Sequence, residues 1–360
     1  MGGECRTARF SSIQEEKELI GQRFNIWREG EYDYSAAYGF VPFMVSYIHE
    51  DDEIRPGMLV VPGGAYRYAS PSEGHMVAEE FYREGYNVFV LAYTVNCLDT
   101  PLKMQPLKDI SRAVRIIRKY AVRCHIAPDR IAVCGFSAGG HLCGSLCVHW
   151  GDVSDPAGDY AEVSNRPDAA LLCYPVINSG KYANRASFLA LLGEDPDEEE
   201  LHYMSLEYHV TKETPPCFLW QTAPDASVPV ENSYLFAEAC RKAGVPYAHH
   251  VFSKGVHGMS VATEQWLDRD FGDTYTLDQI RMLCSAIREE KAPYPEEKAQ
   301  EIAEEFGFDG KKREKWTPEE KERIRKTLPE VGIWPKLAVS WLNRQWEVLS
   351  SQKREAGSEV

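Results

Sequence analysis

Ile131-Ala132-Val133-Cys134-Gly135-Phe136-Ser137-Ala138-Gly139-Gly140-His141 is the stretch that decides the fold of this chain. Its first four residues form an unbroken apolar run, as in a strand covered on both faces. Gly135-Phe136-Ser137-Ala138-Gly139 then fits a tight turn, and the following residues open a helix. Both glycines have a steric reason to be there, since a side chain at either position would crowd the turn. The bland reading is a glycine-rich strand-to-helix turn whose serine merely caps the helix. Gly-x-Ser-x-Gly arises by chance about once in ten chains of this size and glycine content. Its context must therefore carry the reading.

Working outward, short apolar runs alternate with helical patterns. The runs 43–48, 58–61, 88–93, 131–134, 169–174, 217–220 and 249–252 read as strands. Several are apolar on both faces, which implies a mostly parallel sheet covered by helices. Leu107, Ile110, Ala113, Val114 and Ile117 make one apolar stripe at helical spacing, with Pro106 at its start. The fold class expected is α/β, with a core over residues 41–264 behind an N-terminal segment, 1–40. Residues 265–330 form a charged helical insertion, either a lid or an oligomer contact. Thr276-Leu277-Asp278-Gln279 and Thr317-Pro318-Glu319-Glu320 both fit capping boxes there, and Pro295-Glu296-Glu297 starts a third helix. A final core helix is expected over 331–350, and a disordered tail over 351–360.

Composition narrows the partners. The 360 residues are 44% hydrophobic and carry a net charge of −15. That charge argues against nucleic acid or an anionic membrane surface. No segment reaches transmembrane length and the first residues lack an apolar leader core, so a cytoplasmic location is expected. Gly2 is the one hint of lipidation, but Arg6 stands where a myristoylation motif has Ser or Thr. Most of the ten cysteines lie in apolar runs, which fits reduced core residues. None has zinc spacing, and no metal or cofactor is expected.

A serine hydroxyl becomes a nucleophile when a base takes its proton and an acid holds that base. Asp225 and His257 each follow an apolar run, past a strand's end, where sites collect in open sheets. The order Ser137, Asp225, His257 is the chain order such a site requires on an α/β sheet. Asp225 also reads as an ordinary turn aspartate beside Ala223-Pro224 and Ser227. His249 and His250 are rival bases but fall inside a strand, and His141 lies on the helix after the elbow. Val60-Val61-Pro62-Gly63-Gly64-Ala65-Tyr66 runs a strand into small residues. There the N–H groups of Gly64 or Ala65, with that of Ala138, are expected to receive a developing oxyanion. Tyr66 is the expected sugar contact, with simple packing as the alternative.

These motifs resemble the α/β-hydrolase esterases of the acetyl esterase and acetylxylan esterase type, relatives of the hormone-sensitive-lipase-like carboxylesterases. The resemblance rests on residues 62–66, 135–141, 174–177, 214–225 and 257–258, and covers residues 40 to 265 plus the last helix. It implies triad roles for Ser137, Asp225 and His257, and oxyanion roles for Gly64, Ala65 and Ala138. It also implies a small acetylated sugar or oligosaccharide as substrate. Ala65 departs from the family by replacing a third glycine, and the insertion after His257 is unusually long. Two other readings remain open at this stage: a prolyl-oligopeptidase-like peptidase and a binding protein on an inactive hydrolase fold.

Overall fold

The computed structural model describes residues 22–311 and 314–357. Residues 1–21, with Gly2, and the last three residues of the expected tail lie outside the described residues. Eight strands make one sheet: β1 Arg23–Asn25, β2 Phe43–Tyr47, β3 Arg55–Val61, β4 Asn87–Ala92, β5 Ile126–Phe136, β6 Ala169–Cys173, β7 Cys217–Thr222 and β8 Tyr247–Phe252. Their order is β1-β2-β4-β3-β5-β6-β7-β8. β2 pairs antiparallel with β1 and β4, and every other pairing is parallel. This is the mostly parallel α/β sheet expected from the alternating runs, with the α/β-hydrolase fold that the resemblance implies.

The unbroken apolar strands have a direct cause. On β5, Ile131 and Val133 enter one core, while Ala132, Cys134 and Phe136 enter the other. Because successive side chains leave a strand on opposite faces, a doubly covered strand favours apolar residues at every position. The helices that cover the sheet and flank the site are α1 His75–Arg83, α2 Gln105–Lys119, α3 Ala138–His149, α4 Glu231–Ala243, α5 Asp278–Arg288, α6 Glu296–Glu305, α7 Pro318–Arg325 and α8 Trp334–Gly357. Side chains of α2, α3 and α4 fill one core, and those of α1 and α8 fill the other. The described cysteines are free thiols, and all but Cys97 are buried. Among the described residues no helix is long and apolar enough to cross a membrane.

The N-terminal segment belongs partly to the core. β1 pairs with β2, and Trp27 packs over α2. This buries the side of α2 opposite its apolar stripe. Arg112 of α2 has no exposed side-chain surface. Its Nε and Nη2 donate to the two oxygens of Asp155 at 2.6 and 2.7 Å, and its Nη1 donates to Glu31 at 2.8 Å. The guanidinium also lies 4.3 Å from the Trp27 ring centroid and 4.6 Å from that of Tyr160. Removing one member of a buried ion cluster leaves its partners charged and unpaired. Arg112→Ala is therefore expected to lower the unfolding free energy by about 3–5 kcal/mol in urea titration. A loss below about 1 kcal/mol would show that solvent reaches Asp155.

The insertion docks on the core. Thr317 forms the expected capping box with Glu320, with Pro318 at the first position of α7. Pro295 precedes α6 as expected. The capping box at Thr276 does not form. Residues 275–277 make a tight turn into α5, no side chain caps that helix, and the buried Thr276 hydroxyl has no partner among the described residues. Gln279 is instead spent on Val95, donating to its carbonyl at 2.6 Å and accepting from its N–H at 2.8 Å. A buried peptide whose two groups both need partners outranks the end of an accessible helix. The final helix also runs past the expected boundary at 350, to Gly357.

Candidate active site

The switch point of the sheet lies at β3, whose neighbours β4 and β5 come later in the chain. A crevice opens beyond the carboxyl ends of strands at such a point. Ser137 stands at the end of β5 with φ 52° and ψ −117°, a conformation rare for any residue with a side chain. Backbone bonds hold it there. Its N–H donates to Cys173 at 3.0 Å, and its carbonyl accepts from His141 and Val176 at 3.0 and 3.1 Å. The flanking glycines are enforced by contact. A Cβ on Gly135 would sit 2.2 Å from the Gly139 carbonyl oxygen, and one on Gly139 would sit 2.2 Å from that of Val61.

The structure brings Ser137, His257 and Asp225 together from three separate loops. Ser137 Oγ lies 2.9 Å from His257 Nε2, and His257 Nδ1 lies 2.7 Å from Asp225 Oδ2. The Asp225 side chain is fully buried, while that of His257 is 21% exposed. Asp225 Oδ1 accepts from the N–H groups of Ser227 and Val228, both at 2.9 Å. One oxygen thus shapes the turn and the other faces the imidazole. The arrangement assigns the Nδ1 proton to the aspartate side and leaves Nε2 able to accept the serine proton. The rival histidines lie elsewhere. His249 bonds Ser233 at 3.0 Å, and His250 lies against Phe218. His141 is buried, its Nε2 lies 3.0 Å from the Met204 carbonyl, and burial lowers its pKa to about 4.

The loop after β3 presses against the serine. A Cβ on Gly63 would lie 2.9 Å from Ser137 Cβ. The Gly63 carbonyl accepts from Ser70 N–H, and the Gly64 carbonyl accepts from Arg67 and Tyr68. In a trans peptide the N–H points opposite to the carbonyl. The N–H groups of Gly64 and Ala65 therefore point away from those internal bonds, and neither donates to another described residue. The Ala138 N–H, at the first position of α3, is likewise free among the described residues. Gly64 has φ 118°, and a Cβ there would lie 2.2 Å from the Tyr68 carbonyl oxygen. Ala65 and Tyr66 both adopt positive φ, 55° and 59°, without glycine's freedom. The Tyr66 side chain is turned into the core, as the packing alternative expects. It is 1% exposed, and its hydroxyl bonds His141 Nδ1 at 2.8 Å. A ring beside this turn finds an apolar shelf and a buried acceptor, which outweighs exposure.

Two further residues stand beside the serine, Glu73, which no motif marks, and Tyr174, which lies in the 174–177 motif but carries no expected role. Glu73 and Tyr174 are buried and bonded to each other. Nothing in Ser70-Pro71-Ser72-Glu73-Gly74 marks its acid as different from a turn residue on the surface. The insertion also reaches this region: Glu305 pairs with Arg67 at 2.9 Å, and Phe306 packs edge-on against Tyr68.

The chain is similar to known proteins. Residues 47–240 match the BD-FAE family model. Endo-1,4-beta-xylanase B of Butyrivibrio fibrisolvens is 50% identical over 266 residues, 74% of this chain and 42% of that protein. Acetylxylan esterase of Xylanibacter ruminicola is 28% identical over 226 residues, 61% of this chain and 44% of that protein. The chain thus spans less than half the length of these two relatives. The crystal structure of an acetyl ester-xyloside bifunctional hydrolase from Caldicellulosiruptor lactoaceticus is 38% identical, with a TM-score of 0.64. That match covers 70% of this chain and 93% of the other. With more than half of its length matching the family model, and with the serine-bearing turn on the strand beside the switch point of its sheet, the chain belongs to the BD-FAE family of α/β hydrolases.

Proposed function

We propose that the protein is a serine esterase that removes short acyl groups, acetyl above all, from carbohydrates such as xylo-oligosaccharides. The observation that carries this reading is the continuous hydrogen-bonded line from Asp225 through His257 to Ser137, at 2.7 and 2.9 Å. Ser137 Oγ attacks the ester carbonyl carbon while His257 Nε2 takes its proton. The carbonyl oxygen becomes an oxyanion, received by the N–H groups of Gly64, Ala65 and Ala138. His257 returns the proton to the departing sugar hydroxyl, leaving an acyl-serine. Water then attacks that ester with the same base, releasing the carboxylic acid and restoring Ser137.

The names borne by the xylan-related relatives support a carbohydrate as the leaving alcohol. The contacts of Glu305 and Phe306 with the loop after Ala65 favour a lid role for the insertion over an oligomer contact. Its place there accords with a small acyl group.

The test is acetate release from acetylated xylo-oligosaccharides, beside hydrolysis of 4-nitrophenyl acetate and of esters with longer acyl chains. Both acetylated compounds are expected to be cleaved, with rates falling as the acyl chain grows. Cleavage of the aryl ester without acetate release from the oligosaccharides would reject the sugar assignment and keep the esterase.

A further inference from the structure

Glu73 is an expensive residue to bury. It is 3% exposed, and burial pushes its carboxyl pKa up, against hydrogen bonds from Tyr174 and Gly63 and the pull of His257 and Lys315. No step of the acyl transfer uses it. A buried carboxylate persists where its bonds hold something in place.

Its two oxygens hold two different loops. Oε2 accepts from the Gly63 N–H at 2.7 Å, at the foot of the loop that carries Gly64 and Ala65. Oε1 accepts from the Tyr174 hydroxyl at 2.7 Å. That hydroxyl oxygen accepts in turn from the Ser260 N–H at 3.1 Å, three residues past His257. The Tyr174 ring stands edge-on to the His257 ring, with centroids 5.0 Å apart. Ser260 itself has a positive φ of 49°, and its hydroxyl donates to the Ser72 carbonyl, next to Glu73. The loop after β3 and the loop that carries the histidine are thus tied through one carboxylate.

We propose that Glu73, through Tyr174, is a positioning residue that sets the oxyanion donors and His257 against Ser137 and places a second negative charge beside the imidazole. This rests on the serine-esterase reading above. The charge matters because His257 becomes cationic as it takes the serine proton, and a buried anion stabilises that form. The other titratable groups facing the pair are Asp225 on the imidazole, and Tyr68, Tyr93, Tyr174 and Lys315 around the carboxylate. An amide in place of Glu73 offers one acceptor to two donors and carries no charge.

The experiment compares wild type, Glu73→Gln and Tyr174→Phe on 4-nitrophenyl acetate across pH, with fluorophosphonate labelling of Ser137 in each. Glu73→Gln is expected to lower kcat about 100-fold, the scale of a small misplacement of reacting groups. KM is expected to change little, and the acid limb of the pH–rate profile to move to lower pH. Tyr174→Phe keeps the ring and the Glu73 charge. It is expected to lower kcat about tenfold, the worth of one hydrogen bond, with the acid limb in place. Wild-type kcat in either variant overturns the proposal, as does a fall in Glu73→Gln with the acid limb unmoved. If Glu73→Gln does not fold, the kcat of Tyr174→Phe decides alone. Absence of labelling in the wild-type protein would instead reject the serine-esterase reading, so the two failures are distinct.

Discussion

Ser137→Ala is expected to lower the turnover of 4-nitrophenyl acetate by a factor on the order of 10⁶, as when the nucleophile of a serine hydrolase is removed. Loss of one oxygen is enough because it removes the attacking atom itself. The nearest histidine nitrogen to that position is 2.9 Å from Oγ and needs the hydroxyl as its proton donor. The fold should survive, since the elbow is held by the backbone of Ser137, through Cys173, His141 and Val176, and not by its side chain. Alanine meets the same strain at φ 52° that serine does. The measurement is turnover and fluorophosphonate labelling, read against an unchanged melting temperature. Labelling that survives the substitution would remove Ser137 from the role of nucleophile.

Much of this molecule is legible from its residues for a physical reason. Strands covered on both faces become continuous apolar runs, so β3 to β7 announce themselves without an alternating pattern. Ser137 and Asp225 each follow such a run, whereas His257 follows β8, a partly exposed strand. The parts that do not show are those decided by distant partners. β1 has three residues, too few to display a period. Arg112 lies off the apolar stripe of α2, and Trp27, Glu31 and Asp155 enclose it from elsewhere in the chain. Gln279 looks like half of a capping box because nothing local reveals the Val95 peptide it meets. Tyr66 follows a glycine turn at the site's edge, and only the position of His141 shows which way its ring faces. Glu73 belongs with these, since the two loops it ties are adjacent in space but far apart in the sequence.

Asp225→Asn is expected to lower kcat about 10⁴-fold while leaving the structure intact, the scale seen when a triad aspartate becomes its amide. The geometry explains why an isosteric change has so large an effect. Asp225 Oδ1 accepts from two backbone N–H groups, those of Ser227 and Val228. An asparagine must keep its carbonyl oxygen there, because turning its NH₂ toward two donors would leave all of them unsatisfied. The NH₂ then occupies the place of Oδ2, 2.7 Å from His257 Nδ1. Two N–H groups cannot face each other, so Nδ1 must become the acceptor and the ring proton moves to Nε2. That nitrogen now presents a hydrogen to Ser137 Oγ and cannot take one from it. The imidazole is present, correctly placed and in the wrong tautomer. Asp225→Ala makes the separating comparison: it frees Nδ1 from the amide and lets either tautomer form, so it is expected to retain more activity than Asp225→Asn, at a measurable loss of stability from the two orphaned N–H groups. Equal rates for wild type and Asp225→Asn would show that the carboxylate serves only the turn.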